Sequence, residues 1–346
     1  MTLSQLENEI PTAVTTLDCH HLINEKMNSA LSIFDRIIRK YSFFHFSYLI
    51  LTFSEFALFF YFFALLSQSA LISIALSTIF LTLFSYFIFR VYWQTTKSQQ
   101  LIELKNLFIT DVKSVLDYQE EIPECHIGMA NALCKLAESL IGREYSFYLP
   151  PKWLSITSSF LEKLSCWAHW KDCHQLKEIA LVAAVEQQIK HVKCEPTNPD
   201  THTSLANTYI ILTGLYALSH SHEEDDGFWG PSREDRKQMH QKFRIASERA
   251  IEELKILSNF APNDPWIHEQ LAYSYRDLQM PAEEISEYEL ILRLMPSNTE
   301  IMYKLGVLYF EQGHNALGLH LYEQLRHAHY KKALALIRHY GAYSSI

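Results

Sequence analysis

Cys166, His169 and Cys173 are spaced by three and four residues, with His174 beside the last of them. On a helix that spacing puts the first three on one face, and zinc accepts thiolate and imidazole ligands. The spacing is not that of a structural zinc site, and Asp172 can instead cap a helix starting at Cys173 and break the face. Core packing and surface histidines therefore account for the cluster, and no metal is expected. His220-Ser221-His222-Glu223-Glu224 also offers ligand types, but it opens the acidic stretch that runs to Gly230 and reads as a solvated loop. Glu55 is the one charge within a long apolar block. No second ionisable group is there to complete a proton relay, so a polar contact to a neighbouring helix or a snorkelling carboxyl is expected. No P-loop, Gly-x-Gly-x-x-Gly, Gly-x-Ser-x-Gly or His-Glu-x-x-His is present. We expect no catalytic residues, no cofactor and no enzyme. A competing reading is an enzyme or transport component built on Glu55 or on the Cys/His cluster.

The elements that carry these residues start with that apolar block. Between Lys40 and Arg90, Glu55 is the single charge, and Ser67-Gln68-Ser69 divides the run into spans of about 47–66 and 70–89. Each is long enough to cross a hydrocarbon core of roughly 30 Å as a helix. Each holds twelve Leu, Ile or Phe residues. That favours insertion of the second span by about 4–7 kcal/mol, while Glu55 costs the first about 3 kcal/mol. Residues 41–91 thus read as a transmembrane hairpin. Arg36, Arg39 and Lys40 precede it and Arg90 and Lys97 follow it, while the turn is uncharged, which places both termini on the cytoplasmic side. Residues 1–40 read as a polar leader with the first twenty disordered, and they contain no cleavable signal pattern.

The remainder reads as all-α. Leu101, Leu104, Phe108, Val112 and Val115 give one buried helical face, and prolines punctuate the rest of the chain. After Val91 there are 33 acidic and 25 basic residues, a balance that excludes a phosphate-neutralising, nucleic-acid-binding face. Six cysteines spread through 346 residues read as reduced thiols in a cytosol-facing protein.

Residues 265–298 and 299–332 align with a 34-residue period. Leu271, Ala272 and Tyr275 hold places 7, 8 and 11 of the first unit, with Tyr288 at 24. Leu305, Gly306 and Tyr309 hold the same first three places in the second, followed by Gly318 at 20 and Tyr322 at 24. One unit earlier, Leu205, Ala206 and Tyr209 begin a repeat that Ala250 resumes after an insertion at about 219–237. Glu284 at place 20 and Tyr330 at place 32 depart from the pattern. This resembles the tetratricopeptide repeat (TPR) family over about 199–332, with divergent repeats in 92–198 and a capping helix in 333–346. The resemblance implies an α-solenoid of helical pairs, with small residues at places 8 and 20 and aromatics at 11 and 24 filling the wedge. It implies no enzyme but a concave groove for a protein or peptide, presenting Asn207, Trp266, Tyr273, Arg276, Tyr303, Lys304 and Phe310, types common at binding hot spots. Asn207 and Lys304 match part of a carboxylate clamp seen in some members, but Thr203, Gln270 and Glu300 break it. The short-turned hairpin after a polar leader also resembles the bilobed hydrophobic segment of chlamydial inclusion membrane proteins. That implies a bacterial protein exported to a host-derived membrane.

Overall fold

The computed structural model describes residues 3–62, 71–148, 158–217 and 233–341. Among them every regular element is helical: eleven α-helices and two short 3-10 turns, Arg143–Tyr145 and Ile337–His339. The chain divides into two compact units, Met1–Ala184 and Val185–Ile346. The division lies ahead of the Pro199 boundary read from the sequence.

In the first unit, α1 (Leu3–Tyr61) and α2 (Leu71–Val115) pack side by side. α1 begins inside the stretch expected to be disordered; Leu6, Ile10, Val14 and Leu17 give that stretch a helical period which its polar composition masks. Each helix has two regimes. In one, Phe34, Ile38, Leu101, Leu104, Phe108 and Val112 are buried. In the other, apolar side chains such as Leu49, Ile50, Phe53, Phe60, Ile74, Phe80 and Phe87 are exposed all round. The most apolar windows are 0% and 6% buried, so these stretches are not covered by the rest of the described chain. These two helices are long and apolar enough to cross a membrane. The predicted turn at Ser67-Gln68-Ser69 lies outside the described residues. Within the apolar regime Thr82 Oγ1 donates to Glu55 Oε1 at 2.7 Å, the polar helix contact that the sequence predicts.

α3 (Pro123–Ser139) and the first part of α4 (Ser158–Cys194) complete this unit. Arg143 forks onto both oxygens of Asp35 at 3.1 and 2.9 Å. Lys97 holds Asp172 at 2.6 Å.

In the second unit α5 (Pro199–Ala217), α6 (Arg233–Phe260), α7 (Pro265–Asp277), α8 (Pro281–Leu294), α9 (Thr299–Glu311) and α10 (Asn315–His327) each pack on the next, and α11 (Ala333–Leu336) covers α9 and α10. Proline opens α7 and α8, where its missing N–H costs nothing, and Asp264 and Asn298 accept backbone N–H groups at the starts of α7 and α9.

The 34-residue period recurs in the backbone. α7 and α9 both end in a left-handed residue, Gln279 (φ 59°) and Gly313 (φ 78°), followed by matching N–H bonds from Met280 to Tyr275 O and from His314 to Tyr309 O. Glycine takes this conformation freely, whereas glutamine is strained. Gln279→Gly should therefore raise the stability of this unit by about 0.5–1 kcal/mol, read as a higher urea midpoint at unchanged slope.

The period also recurs in two ion pairs that the sequence reading missed. His202 and His268, both at place 4, each meet a glutamate from the following helix, Glu253 and Glu287, at 2.7 Å through Nδ1. Their Nε2 atoms face the carbonyls of Pro196 and Pro262 at 3.1 and 2.9 Å. A ring with an acceptor on each nitrogen is fully bonded only as imidazolium. In the next unit Met302 and Leu321 stand at the same places, and an apolar contact replaces the ion pair.

Candidate partner-binding site

The residues predicted to pack the repeats are mostly buried. Leu205, Ala206, Ala250, Leu271, Ala272, Tyr275, Tyr288, Leu305, Gly306, Tyr309 and Gly318 are buried, and Tyr209 and Tyr322 are half-buried. Two of them are glycines for a steric reason. A Cβ on Gly306 would lie 2.8 Å from Leu336, and one on Gly318 2.5 Å from the Phe310 ring.

That second contact corrects one predicted binding residue. Phe310 is not on an open face: it is wholly buried, packed with Leu325, Ala333 and Leu336 and set edge-on to Tyr340. The absent side chain of Gly318 makes the space it fills. Place 20 also explains its own exception. Glu284 is 5% exposed, and its carboxyl lies within the field of Arg276, which holds place 12 where the next unit has Phe310. Burial pushes that carboxyl up, and the Arg276 charge offsets part of the rise.

The other predicted residues stay accessible, and several converge between α7 and α9. Tyr273 is the centre. Its hydroxyl donates to Glu269, Lys304 Nζ donates back to it at 2.8 Å, and Lys304 also lies 3.4 Å from Glu300. Arg276 and Lys304 stand over the Tyr273 ring at 5.1 and 4.9 Å, and Lys332 over the Tyr303 ring at 5.6 Å. Burial, then the Glu269 contact, push the Tyr273 phenol up. Burial alone would lower Lys304, but its tyrosine and glutamate partners outweigh that and raise it, so it stays charged. Trp266 at the start of α7 is 38% exposed, and Asn207 on α5 is exposed. Asn207 and Trp266 lie outside the Tyr273 cluster, whereas Tyr273, Arg276 and Lys304 form it directly. Arg276 also lines a cavity of about 590 Å³ together with Phe243, Arg244, Leu278 and Met280.

The chemical candidates resolve differently. Among the described residues no group of three metal-ligating side chains converges. Cys166 bonds Tyr145, whose phenol that contact and burial push up to about 12; Cys173 is buried, and burial pushes its thiol up, away from the thiolate a metal would need. His174 stacks on Trp170. His169 instead joins a network invisible in the sequence: its Nε2 lies 3.2 Å from Ser42 Oγ and 2.9 Å from the Tyr148 hydroxyl, and its Nδ1 lies 3.7 Å from Asp172. The Ser–His–Asp order invites a nucleophilic reading, but the geometry does not carry it. Ser42 sits inside α1 with its hydroxyl donating to Ile38 O at 3.0 Å, the surrounding backbone N–H groups belong to the helix, and all three residues are buried. The network is a brace joining α1, α2 and α4.

No family model matches the chain, and a search of curated proteins finds no match.

Proposed function

We propose that this protein is a membrane-anchored adaptor. In this reading α1 and α2 cross the bilayer as a hairpin with both chain ends on the cytoplasmic side. The helical pairs from α5 to α10 are TPR-like, and their inner face receives a protein or peptide. The observation that carries the reading is the α7–α9 face, where Arg276 and Lys304 stand over the Tyr273 ring and Lys332 over the half-buried Tyr303 ring, with Trp266 exposed apart from them at the start of α7. Aromatic side chains with cations at their rims bind extended chain by stacking and by charge-assisted hydrogen bonds. The membrane confines that face to two dimensions and raises its effective concentration toward ligands at the same surface.

A crosslinking pull-down with the full-length chain in its membrane tests this. Trp266→Ala and Tyr303→Ala should each weaken capture of the same bands by at least tenfold, the effect expected of hot-spot residues at about 2 kcal/mol. Leu319→Ala, on the exposed side of α10, should leave capture unchanged. Capture indifferent to Trp266 and Tyr303 contradicts the proposal.

A further inference from the structure

We infer that the first turns of α4 form a second membrane contact, an interfacial segment lying in the phospholipid headgroup layer beside the hairpin. The inference rests on reading α1 and α2 as spans. His169 is fixed to Ser42, which lies a few residues before the first span. Beyond it, Asp172 meets Lys97 and Gln175 meets Ser98 at 2.7 Å, so α4 advances in the same direction as α2, away from the apolar regime. Residues ahead of His169 therefore lie on the span side. At 1.5 Å per residue Phe160 lies about 13 Å from His169 in that direction. Tyr148, bonded to both Ser42 and His169, already touches the Phe46 ring at the mouth of the span.

The side chains there suit headgroups. Phe160 and Trp167 are one heptad apart on a single face and are 60% and 50% exposed. Leu164 lies between them, Lys163 and Lys171 flank the stripe, and Glu162 is the one acid beside it. Near the level of Trp167, beside His169 and Ser42, the hairpin carries Lys40 over the Trp93 ring at 5.2 Å, with Tyr92, Arg90 and Lys97 close by in sequence. Exposed aromatics among basic residues, continuous with an exposed apolar band, match the interfacial layer of a bilayer, where indole and phenyl groups meet headgroups and lysines reach phosphate.

The test places photoreactive p-benzoylphenylalanine at Phe160, Trp167, Leu58 or Leu334 of the full chain in vesicles of phosphatidylcholine and phosphatidylserine with a radiolabelled phospholipid. Lipid adducts are expected at 160, 167 and mid-span 58, and none at 334 in the second unit. If 58 reacts while 160 and 167 behave like 334, the interfacial segment is refuted and the hairpin stands. If 58 fails as well, the hairpin fails and the inference fails with it. Adducts at 160 and 167 to a second protein chain instead of lipid also overturn it.

Discussion

Replacing Phe310 with Ala should destabilise the second unit by about 3–5 kcal/mol and leave the first unit intact. The ring is wholly buried against Leu325, Ala333 and Leu336, and its edge contact with Tyr340 anchors the end of the chain. Gly318 has no side chain to fill the space beneath it, so the truncation leaves a cavity on that side. The converse change, Gly318→Val, drives a side chain into that ring and should also destabilise, by about 1–3 kcal/mol. Hydrogen exchange on the full chain in detergent reads both: amides of residues 299–341 should lose protection while those of α1 and α2 keep theirs. Unchanged protection after Phe310→Ala would mean that the ring is not in this core, and would restore Phe310 to the binding face.

Removing the paired histidines should cost at least as much. Each of His202 and His268 makes one charge-assisted bond to a shielded glutamate and one bond to a proline carbonyl. Charge-assisted bonds contribute about 1.5–3 kcal/mol each, and the two sites share no partner, so His202→Gln with His268→Gln should lose about 3–6 kcal/mol. The effect should depend on pH. Burial pulls His202 down, but the Glu253 carboxylate and the Pro196 carbonyl outweigh it, and its folded-state pKa lies above the ordinary 6.5. A raised folded value means that the folded state holds the proton more tightly. The contribution is therefore complete below about pH 6.5 and fades as pH rises through the folded value. Wild-type protection of residues 199–217 and 233–260 should accordingly fall between pH 6 and 8 more than in His202→Gln. Identical pH slopes in the two proteins would remove the imidazolium.

Much of this architecture is legible in the sequence because it depends on period. The exposed apolar regimes of α1 and α2 follow from residue type alone, and Leu271/Leu305 and Tyr275/Tyr309 mark places that return in the structure as buried positions and as matched helix ends at Gln279 and Gly313. The misplacement of Phe310 has a physical cause. Place number alone puts it on the open side of α9, whereas what place 12 can do depends on place 20, open at Gly318 and filled by a carboxyl at Glu284. The histidine pairs do leave a trace in the sequence, since His202 and His268 stand at the same place and their glutamates do too; it shows only when polar as well as apolar places are compared. The Ser42–His169–Asp172–Lys97 brace has no such signal. Ser42 and His169 are 127 residues apart in sequence and Lys97 and Asp172 are 75 apart, and only packing of the helices brings them together.

In the proposed reading two apolar helices hold this helical stack at a bilayer, and extraction of membranes with alkaline carbonate tests that anchoring. The full-length chain should stay in the pellet, and a chain lacking residues 41–91 should be released. Full-length protein in the supernatant would contradict the account.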